Sequence, residues 1–220
     1  MMKTNHHLQY GSLANIYGAF LTLSGFKRGV ESFLDRIDFN FSPGAKIFDG
    51  GCGTGLFALY FARRFPESDI YASDIEPRML RELEDVIVKD GISNISVFRN
   101  DLNFPEELFD FRSGRKISIQ QNFFDSILLS GALEHVDAEK TIQRLSLILK
   151  PGGSFLNLGV KQSPAGAVLG MVYKFKPHSL AELSEICRGA GFEDIHSLPL
   201  EPKDFPANLS RVAILARKKI

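Results

Sequence analysis

Residues 45–65 read AKIFDGGCGTGLFALYFARRF, and this stretch restricts the fold more than any other. A short apolar run meets an acid, Asp49. Glycines at alternate positions follow, Gly51, Gly53 and Gly55, and then an apolar stretch with helical spacing. Inside a strand or a helix each glycine would cost roughly 0.5–1 kcal/mol relative to alanine. Repeating that cost at alternate positions makes sense at a tight turn whose backbone is closely approached. Strand, turn and helix in this order point to a parallel sheet covered by helices.

The rest of the chain repeats the alternation. AKIF (45–48) reads as a buried strand and TGLFALYFARRFP as a helix ended by Pro66. IYAS (70–73) is a second strand. EPRMLRELEDVIVKDG is a helix with Pro77 in its first turn and Gly91 as its stop, and Met79, Leu80, Leu83, Val86 and Ile87 share one face. ISVF (95–98) and FDSILL (124–129) are further strands. DAEKTIQRLSLILKPGG is a helix that starts at Asp137 and is broken by Pro151, Gly152 and Gly153 before the strand SFLNLGV. SLAELSEICRGAGF carries the capping-box pair Ser179 and Glu182. VAILAR (212–217) has no helix between it and the segment 193–200, so these two pair antiparallel at one edge. The expected fold is α/β, a Rossmann-like, doubly wound, seven-stranded and mostly parallel sheet with an antiparallel edge hairpin. One domain of 220 residues is expected, with a helical lid over 1–42 and the core over 43–220. The long connection 103–122, which contains EELFDFRSGRKISIQQ, reads as a surface loop.

Charge and cysteine content narrow the partners. Lys+Arg and Asp+Glu are both 26, for a net charge of +0, so the basic excess of a nucleic-acid binder is missing and none is expected as partner. Cys52 and Cys187 stand far apart, with no CxxC and no Cys/His cluster, so neither a zinc site nor a disulfide framework is indicated, and no metal is expected. His6, His7 and His178 show no ligand spacing and read as surface residues. The start lacks the apolar stretch of a secretory signal, and SPAGAVLGMVYKF is too short to span a bilayer, so a cytoplasmic location is expected. Oligomeric state is not encoded in any pattern here.

Spacing decides what lies against the glycines. The dinucleotide pattern G-x-G-x-x-G fails at Leu56, and no lysine follows to make a P-loop. What stands here is acid-x-Gly-x-Gly-x-Gly: Asp49, Gly51, Gly53, Gly55. It resembles motif I of the class I S-adenosylmethionine-dependent methyltransferases. Asp74, 19 residues past Gly55 in ASDIEPRML, resembles the family's acid at the end of the second strand. Asp101 in FRNDLNFP resembles the acid beside the adenine. FDSILLSGALEHV, LKPGGSF and AGFEDI resemble later motifs in the right order. Gly50 departs from the pattern, since the family more often has an aliphatic residue there.

The resemblance implies S-adenosyl-L-methionine as cofactor. It assigns Tyr17, Asp49, Gly50, Gly51, Cys52, Gly53, Gly55 and Ser130 to cofactor binding. It assigns the ribose to Asp74 and its neighbour Ile75, with Met79 on the helix behind, and the adenine to Asn100, Asp101 and Leu102. The place after the fourth strand reads Ser130, Gly131, Ala132, Leu133, unlike the Asn/Asp-Pro-Pro string of adenine and glutamine methylases, and neither cysteine stands where cytosine methylases need one. LEHV resembles small-molecule enzymes such as the quinone-biosynthesis methyltransferases. His135 is the candidate general base and the one catalytic residue assigned. Glu134 reads as a solvated or supporting acid, and two residues do not make a metal site. Tyr10, Tyr17, Phe20, Met171 and Tyr173 are candidates for the acceptor pocket, which favours a small apolar or aromatic molecule methylated on oxygen or carbon. A protein or RNA methyltransferase and a non-catalytic, cofactor-binding regulatory protein are the alternatives.

Overall fold

The computed structural model describes residues 25–173 and 175–220. Tyr10, Tyr17 and Phe20, with His6 and His7, lie outside these residues, and the Tyr173 side chain is likewise not described. Helix α1 (Phe26–Leu34) precedes β1 (Lys46–Gly50), α2 (Leu56–Arg64), β2 (Asp69–Asp74), α3 (Pro77–Asp90) and β3 (Ile95–Arg99). Then come β4 (Glu107–Asp110), β5 (Lys116–Ser118), β6 (Phe124–Ser130), α4 (Ala138–Ile148) and β7 (Leu149–Val160). Helices α5 (Pro164–Tyr173) and α6 (Leu180–Gly189) and strands β8 (Phe192–Pro199) and β9 (Arg211–Lys218) complete the order.

All the strands form one sheet in the order β5-β4-β3-β2-β1-β6-β7-β9-β8. The centre, β3-β2-β1-β6-β7, is parallel. Its winding reverses beside β1, which puts the first turn at the point where open α/β sheets bind ligands. Strand β9 pairs antiparallel with both β7 and β8, as the edge hairpin required. Ile47 and Phe48 on β1 point to opposite faces and into two cores. One core packs α1, α2 and α3 through Val30, Phe61 and Leu83. The other packs α4 and α6 through Ile142, Leu145 and Leu183. No described helix is long and apolar enough to cross a membrane.

Two expectations need correction. The sheet has nine strands, not seven, because the segment read as a surface loop forms the antiparallel hairpin β4–β5 on the edge beyond β3. Leu108 is fully buried while its neighbour Phe109 is 39% exposed, the alternation of a strand with one face on the core. Gly114, at φ 69°, makes the reversal. The helix that begins after Asp137 also ends early, at Ile148. Leu149 already pairs with Phe124, and Ser154 next pairs with Ser126, so Pro151, Gly152 and Gly153 sit in a bulge at the start of β7 rather than between helix and strand.

Helix α1 is fastened to the β8–β9 connection. A Cβ on Gly29 would stand 2.2 Å from the Asp204 carbonyl oxygen, so only glycine allows this approach. Asp204 is fully buried, and its carboxylate accepts from Ser32 Oγ (2.9 Å), Arg36 Nη1 (2.7 Å), Arg36 Nη2 (2.5 Å) and the Glu201 N–H (2.7 Å). Burial alone would raise this carboxyl; Arg36 and the other donors outweigh it and hold it below the usual range.

Candidate active site

Strand β1 ends in buried Asp49 and Gly50, and the chain turns through Gly51, Cys52, Gly53 and Thr54 into α2, whose N-cap is Gly55. The Cys52 N–H donates to the Ser73 carbonyl at 2.8 Å, which ties the turn to the end of β2. The three alternating glycines all take left-handed φ, of 67°, 55° and 88°, but for different ends. A Cβ on Gly51 would lie 2.6 Å from Ala132 Cβ, and one on Gly55 2.4 Å from Leu83 Cδ1. Among the described residues, Gly53 has nothing within 4 Å of that point. Gly50 is a packing glycine, since a Cβ there would meet Leu102 Cδ1 and Leu129 Cδ2 at 2.9 Å. The turn is thus glycine-rich mainly for its own packing, and Gly53 presents open backbone.

Two carboxylates flank it. Asp49 is 1% exposed; its Oδ2 accepts the Ala58 N–H at 2.8 Å, and its buried Oδ1 has no partner among the described residues. Burial pushes the Asp49 carboxyl up to about 7, against the Ala58 hydrogen bond and with help from the Asp74 charge. Asp74, at the end of β2, accepts the Gly53 N–H on Oδ2 (2.8 Å) and the Glu76 N–H on Oδ1 (2.9 Å), yet burial still raises it. Two acids whose ionisation is penalised by burial form a crevice that favours a cation. The Cys52 thiol, buried beside them, is pushed well above its ordinary value by burial and by both acids, so it is an inert thiol.

The C-terminal end of β3 supplies the third side. Asn100 is buried, and its Nδ2 donates to the carbonyls of Phe104 (3.0 Å) and Glu107 (2.8 Å), which commits the amide to the local turn. Asp101 is exposed, and its Oδ1 accepts the Asn103 N–H (3.0 Å) and Nδ2 (2.8 Å). Leu102 fills the space over Gly50. Ile75 is 37% exposed beside Asp74, whereas Met79 is 4% exposed on the inner side of α3. The structure therefore gathers residues 49–55, 74–75 and 100–102 at adjacent strand ends and turns Met79 into the core.

Ser130 closes β6, and the segment after it reaches back to the turn through Ala132. Sequence reading passed over Gly131, whose φ of 66° makes that return possible; a glycine directly after a strand was the available signal. His135 ends the short 3-10 turn Leu133–His135 and is exposed, its ring 5.2 Å from Phe175 and edge-on. Of the two readings of Glu134, solvated or supporting, the geometry matches the second. Its Oε1 accepts the Val160 N–H at 2.5 Å and fixes the turn to the end of β7. Met171 is 74% exposed and does not line a closed pocket. A cleft of about 400 Å³ among Phe39, Pro43, Lys150 and Arg217 lies at the opposite ends of the strands, away from the glycine turn.

The donor set fits S-adenosylmethionine. The unpartnered Oδ1 of Asp49 and the raised Asp74 suit a ligand with two positive centres, and Gly53 leaves the backbone open beside them. A family model described as a methyltransferase domain matches residues 47–153. The ubiquinone/menaquinone biosynthesis C-methyltransferase of Idiomarina loihiensis is 30% identical over 135 residues, 60% of this chain and 49% of that protein. Human EEF1A lysine methyltransferase 2 is 33% identical over 149 residues, 67% of this chain and 58% of that protein. Haemonchus contortus phosphoethanolamine N-methyltransferase 2, solved with S-adenosyl-L-methionine, superposes with a TM-score of 0.69 at 17% identity, over 88% of this chain and 52% of that one. The chain spans about half the length of the curated relatives it matches. The fold, the glycine turn with its two acids and these matches together support a class I S-adenosylmethionine-dependent methyltransferase.

Proposed function

We propose that the chain methylates an oxygen or carbon of a small, apolar or aromatic acceptor. The observation that carries this reading is the segment 131–136, which lays Ala132 against Gly51 and brings His135 onto Phe175. An imidazole then meets an aromatic ring at the end of the segment that touches the turn. Similarity to the quinone C-methyltransferase supports the acceptor class.

When bound, S-adenosylmethionine supplies a methyl group already activated on a sulfonium, so the protein needs no nucleophile of its own. Asp74, with Ile75 beside it, takes the ribose hydroxyls. Asp49, Gly53 and the Cys52 backbone take the amino-acid end, with Gly50, Gly51 and Gly55 shaping the turn and Ser130 and Tyr17 alongside. Asp101 and Leu102 border the adenine, and Asn100 holds their turn in place. The acceptor lies behind the methyl group, and positioning of this kind can lower a barrier by roughly 7–11 kcal/mol. His135 removes the proton from an oxygen acceptor, a contribution of about 10²–10⁴ in rate.

Incubation with methyl-labelled donor and separate metabolite, protein and RNA fractions tests the acceptor class. Label in small molecules supports the reading. Label in protein would favour the second reading, protein methylation, for which the similarity to the human lysine methyltransferase speaks. Cofactor binding with no transfer anywhere would leave a regulatory binding protein. His135→Ala should slow turnover at least about 100-fold with unchanged cofactor affinity; normal turnover would remove the base from the mechanism.

A further inference from the structure

A guanidinium stands unbalanced at the same end of the sheet. Arg211 opens β9, and its Nη1 lies 3.1 Å from the position a Cβ on Gly131 would take. Its Cζ is 5.4 Å from the centre of the Phe26 ring on α1. Nε and Nη1 are both buried and donate no hydrogen bond, and no carboxylate among the described residues pairs with the side chain. Other arginines differ. Arg36, Arg63, Arg64, Arg112, Arg144 and Arg188 each have a carboxylate partner, and most of those are more exposed pairs at the surface.

The nearby acid cannot serve. Val160 pairs in register with Arg211 and gives its N–H to Glu134, but Glu134 lines a small cavity with Asn157, Val212 and Ile214 on the other side of the strand. Arg211 instead touches Gly131, whose neighbour Ala132 packs on Gly51. It is thus linked to the glycine turn through two successive residues. Arg211 is only partly buried, but two buried guanidinium nitrogens without an acceptor are unfavourable, and the Phe26 ring compensates less than an anion would. The guanidinium fork matches a planar carboxylate or a phosphate. Phe205 and Leu209, 64% and 52% exposed, lie just before Arg211 in the chain and add apolar surface.

We infer that Arg211 is an anion receptor of this crevice, holding a carboxylate or phosphate group presented by a bound small molecule. The inference deepens the proposed function and rests on its placing of the acceptor beside segment 131–136. It makes the acceptor an apolar or aromatic body that carries an anion, unless the anion is the carboxylate of the donor itself.

The test compares the wild-type chain with Arg211→Gln and Arg211→Lys in calorimetric titrations. In the donor arm the ligands are S-adenosylhomocysteine and 5′-methylthioadenosine, which lacks the amino-acid part. In the acceptor arm the ligands are benzoate, phenyl phosphate and neutral benzyl alcohol, added to protein saturated with S-adenosylhomocysteine. The expected result is binding of benzoate or phenyl phosphate that Arg211→Gln weakens at least about tenfold and Arg211→Lys weakens less, with both nucleosides unaffected. A tenfold loss confined to S-adenosylhomocysteine keeps the receptor and assigns the anion to the donor. Equal binding of every ligand by wild type and Arg211→Gln overturns the inference. So does loss of 5′-methylthioadenosine as well, which would mean a purely structural role. Wild-type protein that ignores both nucleosides would sink the cofactor reading instead, and Arg211 is then decided by titrating phenyl phosphate into the unloaded protein.

Discussion

The glycine turn and the proposed acceptor side meet at Ala132, but they are assembled differently. The turn draws Asp49, Gly51, Gly53 and Gly55 from one short stretch, and Asp74 locks it from the next strand through the Gly53 N–H. The proposed acceptor side draws on two pairs from four distant places, His135 with Phe175 and Phe26 with Arg211, and the buried Asp204 holds α1 to the β8–β9 connection. A site for a fixed cofactor can be carried by a local motif. A site for a variable acceptor is built by long-range packing on the same frame, which lets one side change while the other stays.

This contrast can be broken by substitution, and the largest effect is expected at the acceptor side's fastening. Asp204→Ala should cost about 3 kcal/mol of stability in urea denaturation, because it leaves Arg36 without its buried partner. S-adenosylhomocysteine affinity, measured well below the melting temperature, should change little; a parallel collapse would show that the two regions are one unit. Asp204 is held below the usual carboxylate range, so its contribution is complete above the unfolded-state value and is lost as pH falls through the folded-state value.

Asp49 should act in the opposite sense. Its folded-state value of about 7 lies above the unfolded 3.8, so the native state holds the extra proton between them. The ligand-free protein should therefore lose stability as pH rises from 4 to 7, by roughly 3 kcal/mol in all. Asp49→Asn should flatten that slope in thermal melts and weaken cofactor binding; an unchanged slope would mean that Asp49 is already ionised.

Asp74→Ala comes next, with cofactor affinity reduced about 10- to 100-fold by calorimetry, as for loss of hydrogen bonds to a charged group. The smallest effect separates the glycines. Gly53→Ala should cost about 1 kcal/mol from left-handed strain alone, and Gly55→Ala more, since Leu83 must also move. Equal losses in the two melts would contradict the different surroundings found for these glycines.

Much of the parallel core and of the glycine turn was legible because periodicity, caps and the glycine spacing are local signals. Ser179 and Glu182 form the capping box read from their spacing. The β4–β5 hairpin escaped because its buried face is short, Leu108 above all, and Ser113-Gly114 looks like loop chemistry. Gly50 looked like a ligand position but is demanded by Leu102 and Leu129, which only the folded sheet brings to it. Arg211 gave no signal, since Gly131 and Phe26 become its neighbours only through the sheet order.

The bond set around Asp204 has a mechanical corollary. Helix α1 carries Phe26 and strand β9 carries Arg211, and the Ser32 and Arg36 contacts clamp the helix to the peptide that leads into that strand. Ring and guanidinium are therefore mounted on a single stiff bracket. The guanidinium is thus held against its ring at a set distance, and an anion that reaches it meets a donor already oriented by the frame.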